Sequence, residues 1–436
     1  MKRKIFLICL LIIIVLLFVS CDSYFTNITI TSDIEYNMPK TNIQLFDFIS
    51  DSFINRTFDD LYKYTSQEIQ NLMSKKDFIH IFEDVLKISG ELKNITNNSS
   101  VIENGIERFF ALLHFENLDL ELHIDITDVK ILAVSYNVFF NRTFEIEVTG
   151  NIIERYFVLE NDGHKLNAVY TYIRDGEKHP SVLLVPGSGQ CDYNETIGIH
   201  KPFEDIALGL AQNGICSLRI DKRTLNYYSS FEMTAGINEE YICDFNKAID
   251  YLKENSIGDI YLLGHSLGGQ IAADLAAQNS NVSGIVLFNS SARHLAEIMK
   301  DQYINIDPQN KDIYIQYANI AKGMNKSDAK GYFYYGVSDY YWTSYNEINT
   351  VKNIEYFGKK TLIINSTYDK QTFPDDIELW QNSFGKNKTV IIQVFADISH
   401  YGYKIDTKNA SSLYRKEDFP KEIIDTISNF IKDEKK

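Results

Sequence analysis

Six short runs of apolar residues constrain the fold of this 436-residue chain more than any other feature. Each run is continuously apolar rather than alternating, and most are separated by segments with helical periodicity. A strand that is apolar on both faces is buried on both faces, which is typical of a parallel sheet covered by helices. The sequence therefore predicts an α/β domain. The runs lie at residues 181–185, 215–220, 259–263, 283–288, 361–365 and 389–395.

This α/β domain is predicted to span residues 144–436. Residues 144–149 alternate between apolar and polar side chains, and an Asn-Asp-Gly turn at 161–163 predicts a hairpin. Residues 291–356 form a segment between two of the buried runs that is too long for a simple connection. We therefore expect a cap insertion there, above one edge of the sheet.

A smaller α+β domain is predicted over residues 41–140. Apolar residues at helical spacing predict two helices within 43–72 and a third over 74–90, which starts with a sequence like a capping box. Three further segments are predicted to be antiparallel strands. Helices followed by an antiparallel sheet make an α+β unit. The three strand segments are residues 109–115, 118–126 and 129–138.

The N-terminus has the composition of a targeting segment. Basic residues at positions 2–4 precede an uninterrupted apolar run over 5–19, which is short for a membrane span. The sequence FVSC that ends at Cys21 resembles the lipobox of bacterial lipoproteins, with Phe where the lipobox usually has Leu. The resemblance implies a signal peptide at 1–20, lipidation of Cys21 and a tether at 21–40. An uncleaved anchor helix is the alternative, and both predict a membrane-anchored protein of the cell envelope, outside the cytoplasm.

The composition excludes several classes of protein. Hydrophobic residues make up 44% and charged residues 23% of the chain, which is typical of a globular protein and excludes wholesale disorder. A formal charge of −16 repels phosphate backbones, so we expect no nucleic-acid partner. Cys191, Cys216 and Cys243 are widely spaced, which predicts free thiols rather than a disulfide framework or a metal site. The oligomeric state is left open by the sequence.

The sharpest local motif is the sequence GHSLG at residues 264–268, followed by Gly269. A buried strand at 260–263 leads directly into it, and an Ala-rich helical segment follows at 270–277. This is the context of a nucleophile elbow, in which a strained turn between strand and helix exposes a serine hydroxyl. The alternative is a glycine-rich turn that only packs a helix on a strand. We expect Ser266 to be a catalytic nucleophile.

A serine hydroxyl needs a base to activate it, and the base needs an acid to orient it. In folds with this elbow, the acid and then the histidine come in loops after later strands. Asp369 and His400 follow the last two apolar runs and are the candidates. Asp397 is a rival acid because it is close to His400 in sequence. His294 comes too early in this order, and we expect it on the surface or on a pocket wall.

The oxyanion that develops during acyl transfer needs hydrogen-bond donors. One is expected to be the backbone N–H of Leu267, the residue after the nucleophile. The other is expected from residues 186–190, a glycine-containing loop after an early strand, with the Ser188 N–H as first candidate and Gly189 as second. Taken alone, this loop could be an ordinary tight turn. Such chemistry requires no metal and no organic cofactor.

The region from about residue 144 onward resembles the alpha/beta-hydrolases, in particular the group related to dienelactone hydrolases and serine aminopeptidase-like esterases. Pro186 and Thr224 stand where this group usually has His and Gly. The resemblance implies a mostly parallel sheet with a cap, and hydrolysis of a small acyl ester or aminoacyl substrate, most simply a carboxylic ester. A serine aminopeptidase-like peptidase, or a ligand- or partner-binding surface lipoprotein with vestigial activity, are the alternatives. Residues 41–138 resemble the small cystatin-like domain that precedes such hydrolases in secreted bacterial proteins. The matching stretches are 184–189, 218–223, 264–269, 340–342 and 361–369, with Asp375, Trp380 and His400.

Aromatic residues cluster in the predicted cap, at 332–335 and 340–342. Clustered rings of this kind suit a pocket for an acyl or aromatic group, and Tyr341 and Trp342 are the candidates for its wall. The alternative is that the rings form the core of the cap, since aromatic side chains are usually buried.

Overall fold

The computed structural model describes residues 38–231, 235–256, 258–372, 374–405 and 417–432. These residues form two units, each built on its own β-sheet. The predicted signal peptide, Cys21 and most of the predicted tether lie outside the described residues. Within the described part of the chain, no helix is both long and apolar enough to cross a bilayer.

The first unit begins with three α-helices, as its periodicity predicts, and with a short 3₁₀ turn before the second helix that was not predicted. Thr41 and Ser74 cap the first and third helices, because each side chain accepts a hydrogen bond from the backbone N–H three residues later. The apolar side chains of these helices share one core with the sheet that follows. The elements are α1 Asn42–Asn55, the 3₁₀ turn Leu61–Tyr64, α2 Gln67–Leu72 and α3 Lys75–Ser89.

The sheet of the first unit has four antiparallel strands in the order β1-β2-β3-β4. They are β1 Leu92–Glu103, β2 Ile106–Phe115, β3 Leu118–Thr127 and β4 Lys130–Phe140. Strands β2 to β4 confirm the predicted segments, and alternate residues of β3 are buried. The prediction of three strands is wrong in omitting β1. Its pairing with β2 shifts register twice, after Leu92 and after Thr96, so its sequence does not alternate cleanly.

A nine-stranded sheet forms the centre of the second unit. Its strands are β5 Phe144–Thr149, β6 Ile152–Asn161, β7 His164–Ile173, β8 Ser181–Val185, β9 Cys216–Ile220, β10 Ile260–His265, β11 Val282–Phe288, β14 Lys360–Ser366 and β15 Val390–Phe395. In the order β15-β14-β11-β10-β8-β9 all neighbours are parallel. Strands β7, β6 and β5 continue the sheet antiparallel. The hairpin between β6 and β7 turns through Asp162 and Gly163, both at positive φ, as predicted.

Helices cover both faces of this sheet, which explains why its central strands are continuously apolar. The helices of the second unit, including those of the cap, are α4 Pro202–Gln212, α5 Arg223–Phe231, α6 Cys243–Asn255, α7 Leu267–Gln278, α8 Leu295–Ile306, α9 Lys311–Gly323, α10 Asp339–Tyr345, α11 Thr350–Phe357, α12 Pro374–Phe384 and α13 Lys421–Lys432. Helices α4 and α13 share a core with one face. Helices α6, α7, α11 and α12 belong to the core of the other face.

The insertion predicted as a cap contains α8, α9, α10 and the two-residue strands β12 Phe333–Tyr334 and β13 Val337–Ser338. Helix α11, which the predicted range 291–356 includes, packs instead against α7 beside the sheet. The observed insertion therefore ends just before Thr350.

A shared apolar core joins the two units. The ring of Phe140, at the end of β4, lies with its centroid 5.5 to 5.8 Å from the rings of Phe144, Tyr156 and Tyr193. Asn167 of β7 accepts a hydrogen bond from the Phe140 N–H at 2.8 Å and donates one back to β4 at 2.7 Å. The predicted boundary near residue 140 thus separates two sheets, but one hydrophobic core crosses it.

We expect Phe140→Ala to lower the free energy of unfolding by about 3 to 5 kcal/mol, the usual cost of truncating a buried phenylalanine. Because the ring packs on both units, the loss should appear as one shifted transition. Guanidinium denaturation followed by circular dichroism and fluorescence measures it. Val101→Ala, at a position 58% exposed in β1, is the control and should change the free energy by less than about 0.5 kcal/mol. Two transitions, of which only one moves, would contradict the shared core.

Candidate active site

Ser266 stands at the turn between β10 and α7. Its φ of 54° and ψ of −123° form a strained conformation that residues other than glycine rarely adopt. A Cβ at Gly264 would lie 2.0 Å from the carbonyl oxygen of Gly268, and a Cβ at Gly268 would lie 2.1 Å from that of Val185. The turn can close only because both positions are glycines. The chain here has the strand, strained turn and helix that the sequence predicts.

Asp369 and His400 are brought into contact by the loops after β14 and β15. His400 Nδ1 lies 2.6 Å from Asp369 Oδ2, and both side chains are buried. Asp369 also accepts hydrogen bonds from the Gln371 and Thr372 N–H groups and from the Thr372 hydroxyl. Burial alone would raise the pKa of Asp369, but the facing His400 and these hydrogen bonds hold it below its usual value. An ionised Asp369 fixes the His400 ring, which leaves Nε2 for a serine hydroxyl.

The two rival residues have other roles. Asp397 is exposed in the loop before His400, at a φ of 55°, and Asp369 is the carboxylate that meets the ring. His294 caps the N-terminus of α8, because its Nδ1 accepts from the Ala296 N–H while its Nε2 contacts Asn346. Burial lowers the pKa of His294. Its place is therefore inside the cap, where it supports α8.

A small cavity of about 50 Å³ opens at Ser266. Both predicted oxyanion donors, Ser188 and Leu267, line it. A wider groove of about 730 Å³ lies beside it, between α8 and residues 367–371. Gln302 and Gln371 line both spaces. Ser266, the two candidate oxyanion donors and the loop of Asp369 therefore meet around one cavity with an open approach.

The predicted pocket role of Tyr341 and Trp342 needs correction, because neither lines this cavity. Trp342 is fully buried in the cap core, where its Nε1 donates to the Tyr334 carbonyl at 3.2 Å. Burial, together with the charge and hydrogen bond of Glu240, raises the pKa of Tyr341. The rings stabilise the cap, and it is α8 that reaches the cavity. The cap residues on its wall are Leu295, Ile298, Met299 and Gln302.

A buried lysine beneath residues 186–190, here called the oxyanion loop, was not identified from the sequence as functional. Lys222 Nζ donates to the carbonyl oxygens of Gly189 at 2.6 Å and Gly187 at 3.1 Å, and pairs with Glu240 at 2.5 Å. The Tyr241 hydroxyl also donates to the Gly187 carbonyl at 2.5 Å. The sequence signal that could have identified it is the stretch 218–223, in which Lys222 follows the end of the buried strand β9 by two residues.

A second pair that the sequence interpretation missed lies on the other side of the same loop. The carboxylate of Glu195 accepts from the Gly187 N–H at 2.7 Å and meets His265 Nδ1 at 2.8 Å. His265 immediately precedes Ser266, and its Nε2 lies 2.9 Å from the His400 carbonyl oxygen. A histidine next to the nucleophile was the available signal, but its partner is 70 residues away.

No group of three or more His, Cys, Asp or Glu side chains among the described residues could hold a metal ion. Cys191, Cys216 and Cys243 are free thiols, and burial raises the pKa of each of them.

Residues 180–328 match the family model described as the alpha/beta hydrolase fold. The chain is 31% identical over 256 residues to Esterase EstD of Thermotoga maritima. That match covers 58% of this chain and 62% of the esterase, so the chain spans less than two thirds of the length of this relative.

Similar solved structures include Est1E from Butyrivibrio proteoclasticus, at 16% identity and a TM-score of 0.43, covering 63% of this chain and 97% of that one. The esterase domain of a Rhodothermus marinus protein has 12% identity and a TM-score of 0.42, covering 64% and 97%. The family match, the parallel order of the central strands and the turn at Ser266 together identify the fold. The second unit of this chain has the alpha/beta-hydrolase fold.

Proposed function

We propose that the chain is a carboxylic ester hydrolase that acts through an acyl-enzyme on Ser266. The observation that carries the proposal is the buried 2.6 Å contact between Asp369 and His400, whose backbone carbonyl lies 2.9 Å from the ring of His265, the residue before the strained turn at Ser266. A base held by an ionised acid, next to an exposed hydroxyl, is the arrangement needed to make serine nucleophilic. The similarity to Esterase EstD supports the same chemistry.

The proposed reaction uses these groups in turn. Ser266 Oγ attacks the acyl carbon while His400 Nε2 takes the hydroxyl proton, and Asp369 stabilises the resulting imidazolium. The N–H groups of Leu267 and Ser188 hold the oxyanion. Collapse of the tetrahedral intermediate breaks the ester C–O bond, and His400 returns its proton to the leaving alcohol. Water then repeats the sequence, releasing the acid and restoring the Ser266 hydroxyl.

The frame of the oxyanion loop supports this mechanism. Lys222 and Tyr241 bind the backbone carbonyls of Gly187 and Gly189 from one side. A peptide group whose carbonyl is bound in this way cannot rotate, so the N–H groups of the loop keep one direction. Donors fixed before the reaction cost no reorganisation when charge develops on the substrate oxygen.

Replacing the catalytic groups should separate their roles. Ser266→Ala should lower kcat for a short-chain aryl ester by about 10⁶-fold and abolish labelling by a fluorophosphonate. Asp369→Asn should lower kcat by about 10⁴-fold, because the amide no longer holds the correct tautomer of His400. Asp397→Asn is the matched control, since Asp397 is exposed and makes no contact with the ring. Initial rates on acyl esters and aminoacyl amides measure all three variants.

The same panel can overturn the proposal. A wild-type protein that hydrolyses no ester, and that fluorophosphonate does not label at Ser266, would rule out the esterase. If the enzyme cleaved the aminoacyl amides and no ester, the proposed substrate class would change from esters to peptide-like amides. Ser266 would remain the proposed nucleophile.

Lys222→Met should be strongly destabilising, because it leaves Glu240 buried without its partner. We expect a loss of about 3 to 5 kcal/mol in the free energy of unfolding, with a fall in kcat as the loop loosens. Lys253→Met breaks the solvent-exposed pair with Asp250 and should cost less than about 1 kcal/mol. Urea denaturation of both variants measures the difference, and equal small losses would contradict a structural role for Lys222.

We propose further that the chain is exported and anchored to a membrane of the cell envelope through a lipid on Cys21. The proposal rests on the basic start, the apolar run and the lipobox-like sequence, all outside the described residues. Expressed with its own leader in bacteria fed an alkyne fatty acid, the protein should carry the label and sediment with membranes. Cys21→Ser should abolish the label, and Cys191→Ser should not. A Cys21→Ser protein that stays in the membrane at full length would favour the uncleaved anchor instead.

A further inference from the structure

Glu195 is a buried carboxylate at the active site that the hydrolytic mechanism leaves without a role. Only 5% of its surface is exposed, and its backbone adopts a φ of 52°. One oxygen, Oε1, receives both the Gly187 N–H at 2.7 Å and His265 Nδ1 at 2.8 Å. The other oxygen, Oε2, is buried and has no hydrogen-bond partner among the described residues. An unpaired carboxylate oxygen costs stability, so the fold alone does not explain this residue.

The hydrogen bonds of His265 fix the protons of this pair. Its Nε2 faces the carbonyl oxygen of His400 at 2.9 Å, and a carbonyl can only accept, so Nε2 carries a proton. Its Nδ1 faces a carboxylate oxygen that already accepts from Gly187. A proton on each ring nitrogen therefore makes both contacts hydrogen bonds. Beside an ionised Glu195, a neutral imidazole has one proton and would leave one of the two contacts unmade.

The charged groups around His265 are consistent with a cationic ring. Burial would lower the pKa of His265, but the charge and hydrogen bond of Glu195, the His400 carbonyl and the more distant Asp369 raise it above its usual value. His400 and Tyr401 also face the ring, with centroids 4.6 and 5.6 Å away. Cys191 and Tyr241 lie near the carboxylate of Glu195, and burial raises the pKa of both. Glu195 and His265 together carry no net charge. The Asp369 carboxylate therefore remains the group that stabilises the positive charge of His400 when His400 is protonated.

These contacts join three segments whose relative positions matter for the proposed catalysis. Gly187 belongs to the oxyanion loop after β8, His265 ends β10 beside the nucleophile, and His400 follows β15. Gly187 lies closely packed between Glu195 and Ser266, since a Cβ there would lie 3.1 Å from Glu195 Oε1 and 3.2 Å from Ser266 Cβ. The His400 carbonyl has a second donor, Asn289 Nδ2 at 2.7 Å. The backbone of the catalytic histidine is thus held at one atom from two sides.

We infer that Glu195 and His265 are a positioning pair, which holds the oxyanion loop and the backbone of His400 against the nucleophile turn. The inference rests on the proposed hydrolase function. The pair touches no reacting atom and acts by keeping the donors and the base where the transition state needs them. Misplacing such groups by about 1 Å can cost about 100-fold in rate, and it affects the chemical step more than substrate binding.

Glu195→Gln tests the charge while keeping the shape of the side chain. We expect kcat for a short-chain aryl ester to fall by about 10- to 100-fold, with KM changed by less than about threefold. The melting temperature should change little, because the amide supplies a polar group of the same size. The wild-type pair keeps the His265 proton until the pH rises through its raised pKa. Without the carboxylate, burial lowers that pKa, so the alkaline fall in kcat should move to lower pH.

Three further variants serve as controls and rescue. Glu195→Asp keeps the charge, so it should keep the wild-type alkaline limb even if the shorter side chain lowers kcat. His265→Gln removes the titrating ring, so its alkaline limb should disappear. Glu121→Gln removes a carboxylate that also pairs with a histidine, His123, in the sheet of the first unit, and should leave kcat unchanged. If Glu195→Gln does not fold, His265→Gln and nitrogen NMR of the wild-type histidines decide the matter.

The outcomes separate this inference from the proposed function. A wild type without ester hydrolysis or fluorophosphonate labelling would overturn the function. An active wild type, with Glu195→Gln equal to it in kcat and pH profile, would overturn the positioning pair alone. So would a His265→Gln enzyme that keeps the alkaline limb, or a His265 ring that NMR shows to be neutral at pH 7.5. A doubly protonated His265 ring at that pH, lost in Glu195→Gln, supports the pair.

Discussion

The close approach of three backbone segments at Ser266 is the constraint on which the site depends. β10 must turn into α7 within one residue, and the end of β8 must pass 2.1 Å from where a Cβ of Gly268 would be. No side chain fits in this contact. Ser266 turns there at a φ of 54°, and the loop after β8 passes close to it, since a Cβ at Gly187 would lie 3.2 Å from Ser266 Cβ. The strain is supported by central strands that are buried along their whole length.

The peptide groups of the oxyanion loop need hydrogen-bond partners where the loop is buried. Charged side chains supply them, Lys222 for the carbonyl oxygens and Glu195 for the Gly187 N–H. Lys222 with Glu240 holds the loop carbonyls, and Glu195 with His265 holds the Gly187 N–H. Each pair is close to neutral as a unit, which limits the cost of burying it. These contacts hold the oxyanion loop, which contains two glycines, as a rigid element. The two glycines would make the loop flexible by themselves, but these hydrogen bonds keep its backbone in place.

The sequence predicted what is local and missed what depends on distant partners. The central strands, the turn at Ser266 and the order of Asp369 and His400 follow from continuous apolar runs and a short motif, and the fold has them. Strand β1 was missed because its irregular register removes the alternation that identifies a strand. Trp342 was misplaced because an aromatic on a short helix can face either a cavity or a core, and only packing decides. The roles of Lys222, Glu195 and His265 depend on distant contacts that no local pattern encodes. Lys222 meets Gly189 across 33 residues, Glu195 meets His265 across 70, and His265 meets His400 across 135.

The first unit is tied to the active site through the segment that carries Glu195. Tyr193, two residues before it, packs in the core that crosses the boundary between the units, against the ring of Phe140. Lys201, six residues after it, lies with its Nζ 2.9 Å from Asp84 Oδ2 on α3. Glu195 thus lies in the chain between Tyr193 and Lys201, which both contact the first unit. Its carboxylate contacts Gly187 and His265. Since a fixed carboxylate needs a fixed backbone, docking of the first unit helps to set the geometry of the oxyanion loop. The first unit is therefore part of the framework around the candidate active site.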